Sequence, residues 1–325
     1  LNFGLNVTRL GLGCAQLGNL YHAISDDTAR ATVATAWDAG IRYFDTAPHY
    51  GLGLSERRLG AALSAYPRDE FVLSTKVGRV LEPDPDGVSQ RDTQGFDVPA
   101  SFRRRWDFSR DGVLRSLEDS LTRMGLDRVD IAYIHDPDDH FAEAMAGAVP
   151  ALVELREQGV VRAIGVGMNQ AEMLAEFIRR ADLDAVMVAG RYSLLNQPAL
   201  DELLPLCVER KVAVMAAGVF NGGILATHTP GAKYDYADAP PELVARAERI
   251  AAVCEKHGVE LPDAAIALPS AHPAVASVVV GAHSPDQVTV NVSRARKPVP
   301  AALWSELIGA GLLRADTVVE AGVRS

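Results

Sequence analysis

Short runs rich in β-branched residues alternate along the chain with stretches whose apolar residues recur every three to four positions. The first pattern reads as strands and the second as amphipathic helices between caps. Strands are predicted at 9–14, 41–46, 71–77, 130–135, 162–167, 185–189, 212–217 and 276–281. Between and after them, helices are predicted at 26–38 (capped by Asp26 or Asp27), 56–65 (capped by Ser55), 141–157, 170–180, 199–210, 241–257, 262–270, 285–293 and 300–313. Another helix follows Ser109, with Val113, Leu117, Leu121 and Met124 on one stripe and Gly125 at its end. Runs such as 185–189 and 277–280 lack polar alternation, as strands buried on both faces do. Strict alternation of strand and helix implies a parallel sheet. Eight such units point to an α/β fold of the (β/α)8 TIM barrel type, with an open doubly wound sheet as the alternative.

Two stretches break the pattern. Residues 82–99 are rich in Asp, Gly and Pro, and the irregularity runs on to about 108; residues 227–240 hold Pro, Gly and two tyrosines. They follow the third and seventh strands, so in a barrel they are long loops at the C-terminal face, where active sites sit. Loops of that length are expected to be lids or binding loops.

Composition narrows the class. Hydrophobic residues make up 48% and charged ones 23% of 325 residues, which excludes global disorder and supports a sizeable core. One barrel domain spanning 1–325 is expected. The net charge is -10, and the dense basic runs at 103–105 and 294–297 are short. A nucleic-acid partner is therefore not expected, since it would call for a basic stripe. No apolar run approaches the ~18 residues of a membrane span, and residues 1–10 lack the charged and apolar regions of a signal peptide. Cys14, Cys207 and Cys254 are far apart and odd in number, without zinc or disulfide spacing. No metal and a cytoplasmic location are expected.

Several motifs fail. Gly11 and Gly13 begin a G-x-G-x-x-G, but Gln16 stands where the third glycine belongs. No P-loop, H-E-x-x-H or G-x-S-x-G occurs.

One constellation carries chemistry. Asp45 closes the second predicted strand, Tyr50 lies in the loop after it, Lys76 closes the third and His135 the fourth. Each alone reads as a loop cap, a snorkelling lysine or a hydrogen-bonded core histidine. Together, in consecutive units of a barrel, they converge above one rim. A lysine ammonium beside a tyrosine favours the phenolate and is expected to lower a pKa of about 10. Asp45 can hold the lysine, and His135 can hydrogen-bond a reacting oxygen. This set suits proton transfer coupled to hydride transfer at a carbonyl or alcohol, with the hydride carried by a nicotinamide because no side chain can carry it.

Over about 9–291 the sequence resembles the aldo-keto reductase superfamily. The carriers are 40–47 (GIRYFDTA) with Tyr50, Gly51, Ser55 and Glu56; 117–121 (LEDSL) with Arg123, Met124, Gly125 and Asp130; 164–167 (IGVG); and 281–287 (GAHSPDQ). The resemblance implies a (β/α)8 barrel binding NAD(P) in extended form, with Asp45, Tyr50, Lys76 and His135 as the catalytic tetrad. Residues 13–20, the insert after Lys76, 106–109 with 112–114, and 188–195 look closest to the sugar dehydrogenase branch. That branch implies oxidation of an aldose at C1 to the lactone, with L-fucose, D-arabinose or L-galactose types as candidates. The alternatives are oxidation of pyridoxal and NADPH-dependent reduction of aldehydes or ketones. A barrel that binds nucleotide only as a sensor or channel partner is disfavoured by the intact tetrad.

Departures from the family pattern bear on the cofactor. The resemblance makes Asn169 the contact for the nicotinamide amide. Ala217 stands where a stacking tyrosine is usual, so Phe220 is expected to supply that surface. Gly281 and Gln287 take the places of the cations that read the NADP phosphate, with His283 and Arg191 as partial substitutes, so NAD is expected over NADP. Asn291 completes the cofactor set, and His49, Trp106 and Phe220 are the expected substrate contacts.

Overall fold

The structure is a computed structural model that describes residues 4–227, 233, 234 and 237–319. Its centre is a closed parallel barrel of β1 (Leu10–Gly13), β2 (Tyr43–Asp45), β3 (Val72–Val77), β4 (Ile131–His135), β5 (Ala163–Met168), β6 (Ala185–Ala189), β7 (Ala213–Ala217) and β8 (Val275–Gly281). Each strand pairs with the next, and β8 returns to β1 with Leu10 opposite Val278 and Gly13 opposite Gly281.

Successive side chains on a strand point to opposite faces. Tyr43, Val72, Ile131, Tyr133, Met187, Met215 and Val279 form one cluster, which fills the barrel. Their neighbours Phe44, Leu73, Ala132 and Ile134 belong to a separate, larger cluster under the helices. The same period of two puts Asp45, Lys76 and His135 on the inner side at the ends of β2, β3 and β4.

The outer ring holds α1 (Asp26–Asp38), α2 (Leu54–Leu63), α3 (Arg110–Met124), α4 (Val149–Glu157), α5 (Ala171–Arg180), α6 (Leu203–Arg210), α7 (Pro241–Lys256), α8 (Leu261–Ala271), α9 (Pro285–Arg296) and α10 (Ala301–Gly309). Ser109 caps α3 and Gly125 ends it with φ 65. Two expected caps are corrected. Ser25, not Asp26 or Asp27, caps α1 by accepting from the Thr28 N–H at 3.0 Å; both aspartates sit in the first turn, where the helix dipole favours them. Ser55 lies inside α2, whose N-cap is Gly53. Its Oγ donates to the Cys14 carbonyl at 2.6 Å and meets Thr46 Oγ1 at 2.8 Å, tying α2 to the ends of β1 and β2. The helix expected over 141–157 is interrupted by a π turn at Ala144–Ala148. Pro150 cannot donate to the carbonyl four residues back, so the regular ladder fails there.

The insert after β3 is not irregular throughout, as the sequence suggested. Arg79–Pro83 and Phe102–Trp106 pair as an antiparallel hairpin, and Leu52, Leu81, Phe96 and Val98 form a small core of their own. The hairpin's inner loop docks on the loop after β1: Tyr21 N–H donates to Gly95 O at 2.8 Å and Asp97 N–H to Asn19 O at 2.9 Å. The expected binding loop at 227–240 falls partly on 228–232, 235 and 236, which lie outside the described residues; Lys233–Tyr234 and Ala237–Asp238 pair as short strands. Among the described residues no helix is long and apolar enough to cross a membrane.

Candidate active site

Asp45, Tyr50, Lys76 and His135 line one cavity of about 850 Å³ at the C-terminal rim, within the usual size for small-molecule and cofactor sites. Lys76 Nζ donates to Asp45 Oδ2 at 2.6 Å, to the Thr46 carbonyl at 3.0 Å and to Tyr50 Oη at 3.1 Å. An ammonium has three N–H donors, and these three acceptors engage all of them. Tyr50 Oη therefore accepts from Lys76 and keeps its own proton for another partner. Asp45 Oδ1 accepts from Ser74 Oγ at 2.7 Å, and Ser74 Oγ lies 3.0 Å from Tyr43 Oη.

Tyr50 is not on a strand, and its position rests on a backbone contact. A Cβ on Gly18 would lie 2.6 Å from the Tyr50 carbonyl carbon, and one on Gly51, where φ is +60, would lie 2.2 Å from Gly18 O. Only glycine at both places lets the loops after β1 and β2 press together and hold the phenol over Lys76.

Burial controls the ionisation. It pushes the Tyr50 phenol up, and Lys76, which pulls it down, does not compensate, so the pKa stands above its usual 10. That corrects the expectation of a lowered tyrosine. Burial likewise pushes the Lys76 ammonium down, but Asp45 and then Tyr50 outweigh it and hold it above its ordinary value. Burial, with Arg79 and Lys76 nearby, pushes His135 well below 6.5, and burial with Arg79 and Arg104 takes His49 down to about 2. Both imidazoles are neutral. Their rings lie 5.7 Å apart, and His135 stands edge-on to Tyr50 at 5.9 Å. Nδ1 of each is buried without a hydrogen-bond partner. Cys14 also lines the cavity, but burial pushes its thiol far up, which makes it a poor nucleophile.

The cavity also reaches His49, Phe220, Asn169, Gly281, His283 and Gln287. Three expected contacts lie elsewhere. Trp106 lies outside the lining; its ring covers the Arg79 guanidinium at 4.4 Å and packs on Phe108 and His140. Arg191 and Asn291 are not among the described lining residues; they donate to the carbonyls of Gly190 and Gly281, which do line it, at 3.4 Å. Gln16, Tyr21, Arg79, Phe96, Asp136 and Asn221 line the cavity without having been expected there from the sequence. Asp136 follows His135 directly, a signal that was available; Arg79 lies three residues after Lys76, just ahead of the stretch that read as irregular.

From the tetrad the cavity runs past Asn169, Gly190 and Gly218–Gly223 to the start of α9, where Ser284 caps the helix. A helix N-terminus offers free N–H groups and positive potential to an anionic group. Gly281 lines the cavity as well, with the Gln16 amide packed where a Cβ would stand, 2.3 Å away. Asn221 Oδ1 is buried without a partner. These features fit an elongated polar ligand with an anionic part, as a dinucleotide is. Among the described lining residues, Lys76 and Arg79 are the Lys and Arg side chains, and both lie at the tetrad end. The described residues hold no cluster of His, Cys, Asp and Glu able to bind a metal.

Residues 9–308 match the model of the aldo/keto reductase family. The chain is 51% identical to D-threo-aldose 1-dehydrogenase of a Pseudomonas species, covering 95% of this chain and 96% of that protein. It is 40% identical to pyridoxal 4-dehydrogenase of Microbacterium luteolum, covering 95% and 96%. Among solved structures, the holo form of aldo-keto reductase AKR11C1 of Bacillus halodurans superposes with a TM-score of 0.74 at 27% identity, covering 96% of this chain and 94% of that one.

Proposed function

This chain belongs to the aldo/keto reductase family, and on that premise we propose that it oxidises an aldose at C1 to the lactone. It is an NAD(P)-dependent oxidoreductase. The observation that carries the reading is the Lys76 ammonium shared between Tyr50 Oη and Asp45 in a cavity of about 850 Å³. The 51% identical relative supports an aldose as substrate.

In the ring form of an aldose, C1 bears a hydroxyl and a hydrogen. The hydroxyl sits between Tyr50 and His135. Tyr50 Oη, as the phenolate, takes its proton while Lys76 stays charged and stabilises that phenolate. His135, neutral at working pH, hydrogen-bonds the same oxygen as it becomes a carbonyl. Asp45 keeps Lys76 in place. When bound, NAD supplies the acceptor for the hydride that leaves C1. Asn169 and Phe220 would hold its nicotinamide, and Gly281, His283 and Gln287 its far end.

NAD is favoured over NADP because a phosphate monoester is held by charge-assisted hydrogen bonds. Near α9 the described lining offers His283 and Gln287 rather than Lys or Arg. A second reading, oxidation of an aromatic hemiacetal such as pyridoxal, is favoured by Tyr21, Phe96 and Phe220 in the wall and by the 40% identical relative.

The test is NADH or NADPH formation from L-fucose, D-arabinose, L-galactose and pyridoxal, each with NAD and with NADP. Turnover of the sugars with NAD is the expected result. Turnover of pyridoxal alone would install the second reading, and turnover of neither would overturn both. Tyr50→Phe is expected to lower kcat by about 10²- to 10⁴-fold, the usual share of a general acid or base, with NAD binding retained.

A further inference from the structure

The cavity wall carries a second charged pair that the proton chemistry leaves unused. Arg79 and Asp136 both line it and pair through Nη2 and Oδ2. Arg79 starts the hairpin three residues after Lys76, and Asp136 follows His135 at the end of β4. Each is therefore one short step from a tetrad residue. The side chains are 13% and 27% exposed, so the pair is partly open rather than sealed.

Its geometry is fixed from several sides. The Trp106 ring covers one face of the guanidinium. The Asp136 backbone is left-handed, with φ 42, and its N–H donates to Gly167 O at 3.0 Å. Aspartate adopts that conformation more readily than most residues with a side chain. The turn brings Asp136 Oδ2 to 3.5 Å from His135 Nε2. Ion pairs withdrawn from water are weak sources of stability, so fold stability alone is a poor account of this one.

We propose that Arg79 and Asp136 read two neighbouring hydroxyls of the substrate, Arg79 donating to one and Asp136 accepting from the other. This deepens the aldose reading and rests on it for the substrate class. A fixed donor beside a fixed acceptor matches a vicinal diol, because each hydroxyl can both give and take a hydrogen bond. A site built to hydrogen-bond a hydroxyl strongly rejects an analogue without one, since its own polar groups are then left unpaired. The pair thus selects polyhydroxylated substrates over plain aldehydes of similar size.

The experiment uses two substrate pairs. In the reducing direction, glyceraldehyde, which carries a diol, is compared with propanal, which carries none, using NADH. In the oxidising direction, D-arabinose is compared with 2-deoxyribose, which lacks the C2 hydroxyl and so the diol at C2 and C3 that glyceraldehyde also carries; the diol member of each pair is the one with that C2–C3 diol. The wild-type protein is expected to favour the diol member by about 100-fold or more in kcat/KM, a modest share of the discrimination such sites reach. Arg79→Met and Asp136→Ala are each expected to bring the ratio below about tenfold, chiefly through the KM of the hydroxylated member. Arg79→Lys keeps the charge without the planar fork and is expected to restore part of the preference. NADH binding and Tm show whether each variant is folded; where a truncation is not, Arg79→Lys and Asp136→Asn carry the comparison.

Absence of a diol preference in the wild-type protein would overturn the proposal. So would variants that lower both members equally, because the pair would then only anchor the hairpin. A preference that depends on the pair for glyceraldehyde, without oxidation of any aldose, would sink the aldose reading and leave the pair standing. Aldose oxidation without discrimination would do the reverse.

Discussion

Ser74 Oγ donates to Asp45 Oδ1 at 2.7 Å, on the oxygen that Lys76 leaves free. The buried carboxylate is thus held at both ends. Ser74→Ala would strip one buried oxygen of its donor, at a cost of about 1–3 kcal/mol, and let Asp45 turn away from Lys76. The expected result is a fall in kcat of about tenfold with KM little changed, the mark of an interaction that matters in the transition state. Ser74→Thr, which keeps the hydroxyl, should recover most of it. Wild-type kcat in the alanine variant would mean that Lys76 alone positions the carboxylate.

The rate should depend on pH in opposite senses for the two directions. Oxidation needs the Tyr50 phenolate, and burial holds that phenol above its usual value. The deprotonated fraction then rises about tenfold per pH unit below the pKa, so oxidation should climb from neutrality to beyond pH 9, while reduction should fade at the alkaline end. His135 and His49 are already neutral there. A limb in the profile near pH 6.5 would contradict that assignment.

Coenzyme choice can be moved at the start of α9. Gln287 accepts the His283 N–H at 3.0 Å and lines the cavity. Gln287→Arg places a guanidinium where a phosphate would need one. Efficiency with NADP should rise at least about tenfold relative to NAD, since one good charge-assisted contact is worth about 1.5–3 kcal/mol. An unchanged ratio of kcat/KM would place the phosphate site elsewhere.

Acid should destabilise the fold through its buried imidazoles. Burial takes His272 down to about 4, away from the cavity and edge-on to Tyr192. In the unfolded chain it titrates near 6.5, so below that pH the unfolded state binds the extra proton and gains. The loss begins as pH falls through 6.5 and levels off near the folded value. At pH 5 it amounts to about 2 kcal/mol. Chemical unfolding at pH 7 and pH 5 should show His272→Gln losing less stability between them than the wild-type chain.

The barrel and the convergence of Asp45, Lys76 and His135 were legible because both follow from period two, whereas Tyr50 is placed by the contact between Gly18 and Gly51. Strand ends at 77, 135, 189, 217 and 281 agree to within a residue with those read from the sequence, and the inward parity of Asp45, Lys76 and His135 comes with them. What was not legible depends on contacts between distant segments. The hairpin is set by its docking on Asn19 and Tyr21 and by its own small core, neither of which leaves a local pattern. Trp106 read as a pocket residue because it is aromatic and near the site; in the fold its ring is spent on Arg79. The Tyr50 pKa was misjudged because a neighbouring ammonium is visible in the sequence and the depth of burial is not.

The barrel closes where β8 meets β1, joining residues that lie some 270 positions apart in sequence. Gln16 faces Gly281 across that junction, so the coenzyme end of the cavity straddles it. The proposed acid–base residues come from β2, β3 and β4 and the loop after β2, a contiguous arc that begins at the strand paired with β1. On the proposed function, hydride transfer draws on both this junction and that arc, so turnover should report closure of the ring during refolding.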